Sequence, residues 1–83
     1  MNNHAIGENI RKIRCMNGLK QRHLAISLGV AISTISNWER GASRFTDKRI
    51  GHIASALGVS PALLKDGFEL VTASYFPAQK ERR

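Results

Sequence analysis

Residues 21–38, with the sequence QRHLAISLGVAISTISNW, decide the fold of this chain. The stretch predicts two short helices joined by a tight turn. Ala25 provides a small side chain where a facing helix approaches closely. Gly29 provides the joint, because glycine adopts a positive φ at little cost. Ile35 and Trp38 then form an apolar face that packs against the first of the two helices.

Two helices that cross steeply through a short glycine-containing turn form a helix-turn-helix, whose second helix can enter the major groove of DNA. The chain has 83 residues and a formal net charge of +7, from 13 Lys and Arg against 6 Asp and Glu. A small domain with this balance is expected to bind polyanions, although a solvated basic surface would have the same composition. The length leaves no room for a separate catalytic domain.

Apolar side chains at helical spacing predict three more helices around the two motif helices, which cover about residues 20–28 and 32–40. The first ends at residues 17–18, the fourth begins after the N-cap Thr46, and the fifth begins after the N-cap Ser60. Residues 41–45 are predicted to form an exposed loop. The side chains predicted to face inward are Ile6, Ile10, Ile13, Leu24, Ala25, Leu28, Ile35, Trp38, Ile50, Ile53, Ala54, Leu57, Leu63 and Leu64.

The absence of a strand pattern predicts an all-α domain of five helices over residues 1–67, followed by a C-terminal extension at residues 68–83. Residues 68–76 are apolar and β-prone, but they are too few to build a sheet of their own. Three alternatives are open for them: a dimer contact, packing on the domain itself, or disorder. The chain then ends in a basic tail.

Several kinds of site are not expected. The single Cys15 cannot form an internal disulfide and is predicted to be a buried free thiol within the first helix. His4, His23 and His52 have no partners at ligand spacing, so neither a metal site nor a cofactor is predicted. The N-terminus lacks a signal peptide and no apolar run is long enough to cross a membrane, which predicts a cytoplasmic protein without a membrane partner.

Over residues 6–67 the chain resembles the Cro/repressor (Xre-type) helix-turn-helix family, through IGENIRKIRCMNGLKQRHLAISLGVAISTISNWERG and the later IASALGVSPALLKDG. The resemblance implies a lambda-repressor-like DNA-binding domain whose partner is double-stranded DNA. It also implies a buried structural ion pair between Arg14 on the first helix and Glu39 at the end of the third. Both residues have apolar neighbours in helices that must pack, which agrees with this implication.

Three positions depart from the family pattern. Ala31 stands where the family usually has a Ser or Thr that caps the recognition helix, and Ile32 follows where a polar residue commonly contacts bases. Lys20 opens the second helix in place of a capping Ser or Thr. These changes favour apolar contact with thymine methyl groups over hydrogen bonding at the start of the recognition helix.

The face of the third helix opposite Ile35 and Trp38 is expected to contact bases. Asn37 is the best candidate, because its amide can pair with N6 and N7 of adenine, and Ile32 can contact a thymine methyl. The predicted base-contacting residues are Ile32, Ser33, Ser36 and Asn37. The predicted phosphate-contacting residues are Gln21, Arg22, Thr34, Arg40, Arg44 and Lys48, although each of them could be an ordinary solvated side chain. The resemblance implies the contact of Gln21 with the DNA backbone, and the N-terminus of a helix attracts phosphate.

A single domain of this size contacts only a few base pairs, so a homodimer on a palindromic operator is expected. The dimer contact is predicted either at the fifth helix, around Leu63 and Leu64, or at residues 68–76. The leading hypothesis is a sequence-specific transcriptional regulator, most simply a small phage-type or prophage-type repressor that occupies its operator. The alternative is an antitoxin or a restriction-modification controller that binds DNA and also a partner protein through the C-terminal segment.

An enzyme is not predicted, and no catalytic residue is assigned. Asp47, His52 and Ser55 lie close together in the sequence, but neither a nucleophile motif nor a pocket-forming segment accompanies them.

Overall fold

A computed structural model describes residues 2–66, which form five α-helices with short connections and contain no strand. The helices are α1 (Asn3–Met16), α2 (Gln21–Leu28), α3 (Ile32–Glu39), α4 (Asp47–Leu57) and α5 (Pro61–Asp66). The prediction of an all-α, five-helix fold is confirmed. The predicted extension at residues 68–83 lies outside the described residues.

Side-chain caps fix where several helices begin. The Oδ1 atom of Asn2 accepts hydrogen bonds of 2.9 and 3.2 Å from two backbone N–H groups in the first turn of α1. The predicted cap at Thr46 is present, since its Oγ1 accepts from the N–H of Arg49 at 3.1 Å. Ser60 Oγ accepts from the N–H of Ala62 at 3.2 Å. These bonds satisfy N–H groups that have no partner within the helix.

All five helices contribute to one apolar core. Of the side chains predicted to face inward, only Leu28 is not fully buried, and it packs on the core from the end of α2. The buried apolar residues are Ile6, Ile10, Ile13, Leu24, Ala25, Ile35, Trp38, Phe45, Ile50, Ile53, Ala54, Leu57, Leu63 and Leu64. The spacing of apolar residues therefore predicted the core almost completely.

Two predictions about exposure were wrong. Cys15 is exposed on α1, because it lies about 200° around the helix from Ile13, which faces the core. Phe45 was placed in an exposed loop, but it is buried and its ring centroid lies 6.4 Å from that of Trp38. The connection between α3 and α4 therefore carries an apolar side chain that closes the core.

The helix α5 is held to α1 through buried contacts. Leu63 and Leu64 are 2% and 0% exposed, so these two side chains fill the core of their own chain, and a dimer contact at α5 would have to use other residues of the helix. The Nδ2 atom of Asn9, a buried polar residue on α1, donates to the carbonyl oxygen of Leu64 at 2.8 Å. The other predicted dimer surface, residues 68–76, lies beyond the part of the chain that is described.

Candidate nucleic-acid interface

The helices α2 and α3 form the helix-turn-helix. Gly29 ends α2 in the left-handed region with φ 69°, as the sequence predicted. The N–H of Val30 donates to the carbonyl oxygen of Ala25 at 3.0 Å, which closes the turn. Ala25 is buried, and Ile35 and Trp38 form the buried face of α3. The turn therefore fixes α3 on the core with its opposite face directed outward.

This outward face carries the four side chains predicted to contact bases. Ile32 is 51% exposed and Ser33 is also exposed, whereas Ser36 and Asn37 are half-buried. None of them belongs to the buried apolar core. The structure thus brings the four together on one helix face, and their contact with bases stays a prediction.

The starts of α2 and α3 differ from a standard capped helix. Ala31, the N-cap of α3, provides no side-chain acceptor. At α2 the backbone N–H of the N-cap Lys20 donates to Nδ1 of His23 at 3.1 Å. No acidic residue lies in the first turn of either helix. At α3 the positive end of the helix dipole is therefore unopposed by an acidic residue of its own first turn, which favours a phosphate there.

Arg14 and Glu39 form a charged network between α1 and α3. Arg14 Nε lies 2.6 Å from Glu39 Oε2, and its Nη2 donates to Glu39 Oε1 at 3.0 Å. The side chains are 11% and 5% exposed. The hydrogen bond to Glu39 raises the pKa of Arg14, against the opposing effect of burial. This ion pair sets the orientation of α3 relative to α1.

Gln21 joins this network from the start of α2. Its Nε2 donates to Glu39 Oε1 at 3.0 Å, so one amide hydrogen is used within the protein. The half-buried side chain keeps its second amide hydrogen, and the backbone N–H groups of the first turn lie beside it. The contact of Gln21 with a phosphate stays a prediction. The second amide hydrogen and these backbone N–H groups are the donors that could bind the phosphate.

The other predicted phosphate contacts lie on several elements of the fold. Arg22 is exposed on α2, Arg44 is exposed in the connection after α3, and Lys48 is exposed in the first turn of α4. Thr34 is half-buried on α3. Arg40 is exposed as the C-cap of α3, where its Nη2 donates to Oδ1 of Asn37. The bond to Asn37 was not predicted, although a spacing of three residues on a helix is a signal for such a pair.

Two basic residues near Lys48 were also missed. The guanidinium of Arg49 lies 5.4 Å from the centroid of the Trp38 ring. Arg49 and His52 line a shallow surface cavity together with Thr46 and Lys48. The start of α4 therefore adds positive charge next to the helix-turn-helix. The sequence could have indicated Arg49, because it lies in the first turn of α4 just after the Thr46 cap.

Other kinds of site receive no support from the described residues. Residues 2–66 contain no group of three or more His, Cys, Asp or Glu side chains that could hold a metal ion. Asp47 pairs with Lys65 at 3.3 Å. Within the same part of the chain, no helix has the length and apolar character needed to cross a membrane.

Comparison with known proteins identifies a matching family and a similar solved structure. A helix-turn-helix family model, HTH_3, matches residues 10–64. Among solved structures, the chain is similar to the clp gene regulator ClgR from C. glutamicum. The identity is 27%, the TM-score is 0.75, and the match covers 80% of this chain and 86% of that chain. No curated protein matches the chain.

Proposed function

The chain belongs to the Xre/Cro-type helix-turn-helix family, and from this premise we propose that it is a small repressor that occupies an operator in double-stranded DNA. The family and the similarity to a gene regulator support a DNA-binding transcriptional regulator. The observation that carries the proposal is the outward face of α3, where Ser33, Ser36 and Asn37 lie together over a packed core.

In this proposal α3 enters the major groove and its outward face contacts base edges. Hydroxyl and amide groups of Ser33, Ser36 and Asn37 hydrogen-bond to bases, and the exposed side chain of Ile32 contacts a thymine methyl. The absence of a polar cap at Ala31 supports the apolar contact at this end of the helix.

Contacts with phosphates hold the protein on the duplex. Arg22, Arg44 and Lys48 are exposed on α2, in the connection after α3 and on α4, and in this proposal they contact phosphates beside the groove. Gln21 and Thr34 contribute hydrogen bonds from the two motif helices. Phosphate contacts give affinity and register but do not distinguish sequences. With a net charge of +7, this part of the binding weakens steeply as salt rises.

We propose that the protein binds a palindromic operator as a homodimer, with half-sites about 34 Å apart. A single outward face of short side chains gives too little discrimination, because specific sites must exceed non-specific DNA by roughly 4–10 kcal/mol. Residues 68–76 are the proposed dimer contact, since Leu63 and Leu64 are buried within the chain. A dimer on the operator represses by excluding the polymerase.

The test is a selection of bound fragments from random DNA duplexes at about 150 mM salt, since lower salt exaggerates phosphate attraction. We expect a palindromic motif to be enriched, bound by two copies of the chain in sedimentation analysis. Failure to enrich any motif with the folded protein would contradict the proposal. Co-purification of a small protein that requires residues 68–83 would instead favour an antitoxin or a restriction-modification controller.

A further inference from the structure

The outward face of α3 contains a pair of side chains that act together. Arg40 donates from Nη2 to Oδ1 of Asn37, and a spacing of three residues places both on the same side of the helix. A long helical side chain extends toward the N-terminus of its helix, which brings the guanidinium of Arg40 back to Asn37, one of the residues predicted to contact bases. The pair is therefore part of the proposed DNA-contacting face.

The charge of Arg40 is not neutralised by a carboxylate within residues 2–66. The carboxylates that form salt bridges there are Glu39, which pairs with Arg14, and Asp47, which pairs with Lys65. Arg40 is exposed, and a guanidinium has five N–H donors, of which the bond to Asn37 uses one. Several donors and a full positive charge thus remain for a ligand beside Asn37.

This arrangement changes which base suits Asn37. An asparagine that recognises adenine accepts a hydrogen bond from N6 through Oδ1 and donates to N7 through Nδ2. Here Oδ1 already accepts from Arg40. The oxygen has a second lone pair, but an adenine amino group that used it would place its own donor hydrogens beside the guanidinium. Electrostatic repulsion therefore disfavours adenine.

Guanine fits the same pair without this conflict. Its major-groove edge presents two acceptors, O6 and N7, and no donor. The amide hydrogens of Asn37 and the remaining N–H groups of Arg40 are all donors, and the positive charge is attracted to the acceptors. We propose that the Asn37–Arg40 pair recognises guanine and that Arg40 is a specificity-determining residue as well as a phosphate contact. This inference rests on the proposed function.

The experiment selects random duplexes with the full chain and with three variants, Asn37→Ala, Arg40→Ala and Arg44→Ala. The base pair that loses its preference in Asn37→Ala locates the contact. At that pair we expect the unmodified chain to favour guanine over adenine by about fivefold or more. Arg40→Ala removes this preference or shifts it to adenine. Arg44→Ala, which removes another exposed arginine, leaves the base preference as it was.

The possible outcomes separate the inference from the function. Adenine at the located pair, or a guanine preference that Arg40→Ala leaves intact, overturns the inference while the enriched motif still supports the function. A selection that enriches no motif contradicts the function, and the inference fails with it. Circular dichroism of each variant verifies that it is folded, which is expected because both arginines are exposed.

Discussion

Arg14 connects three elements of the fold through one guanidinium group. Two of its hydrogen bonds reach Glu39 at the end of α3, and a third reaches the carbonyl oxygen of Leu19 before α2 at 2.7 Å. Glu39 also accepts from Gln21 on α2. The network therefore positions both helices of the motif against α1. A buried ion pair of this kind adds little net stability, but the loss of one partner leaves the other charge buried and unpaired.

Substitution of Glu39 tests the burial of this network. Glu39→Ala is expected to lower the free energy of unfolding by about 3 kcal/mol, because the Arg14 guanidinium loses its counter-charge. Chemical denaturation measures the change. The matched control is Glu8→Ala, which removes an exposed carboxylate on α1 and should change stability by about 0.5 kcal/mol or less. A loss for Glu39→Ala below about 1 kcal/mol would contradict the account of the buried pair.

At the level of helices, α1 and α3 approach each other closely at Gly7. A Cβ atom added at Gly7 would clash with the carbonyl oxygen of Trp38, so only glycine fits where the two helices cross. The approach brings Arg14 and Glu39, on the same two helices, within bonding distance. Glycine is thus present in the middle of α1 for packing, despite its cost to helix stability.

Substitution of this glycine tests the contact between the two helices. Gly7→Ala forces α1 away from α3 and is expected to destabilise the protein by about 1–3 kcal/mol, the usual cost of overpacking. The control is Gly51→Ala on α4, where an added Cβ meets no heavy atom within 4 Å. Alanine there should stabilise by about 0.5–1 kcal/mol through its better helix propensity. Denaturation curves that shift alike for both variants would refute the close approach.

The sequence predicted these elements well where short-range chemistry determines them. The helix start at Thr46 and the end at Gly29 depend on neighbouring residues and were predicted correctly. The role of Gly7 and the bond from Asn9 to Leu64 were not predicted, because their partners are distant in the sequence, 55 residues away for Asn9. Phe45 was misplaced because a single aromatic residue in a connection has no periodicity to indicate burial.

The candidate site was predictable to a similar extent. Helical periodicity placed Ser33 and Asn37 on the face opposite Trp38, and the structure has them there. The pairing of Asn37 with Arg40 depends on which rotamers the two side chains adopt, and spacing alone leaves that open. The sequence therefore indicated the surface, whereas the hydrogen-bonding pattern on it came from the structure.

For the molecule as a whole, the described residues 2–66 form one apolar core. All five helices contribute buried side chains to it, including Leu63 and Leu64 from α5. A dimer contact therefore has to use other residues, and the proposal assigns it to residues 68–76. Folding and dimerisation are then separable properties of the chain.

Truncation after residue 67 tests this separation. The shortened chain should unfold at nearly the same denaturant midpoint as the full chain, because it retains the whole described core. In sedimentation equilibrium it should be a monomer at concentrations where the full chain is a dimer. Retention of the dimer after truncation would exclude residues 68–83 as the contact.

The central claim is that the outward face of α3, with the Asn37–Arg40 pair, distinguishes DNA sequences, whereas other exposed arginines such as Arg44 only hold the DNA backbone. The measurement is the ratio of the Kd for a scrambled duplex to the Kd for the selected duplex at about 150 mM salt. Asn37→Ala should lower this ratio about 5- to 150-fold, equivalent to about 1–3 kcal/mol, whereas Arg44→Ala should weaken both duplexes equally and leave it unchanged. An Asn37→Ala variant that binds both duplexes less tightly by the same factor would contradict the account.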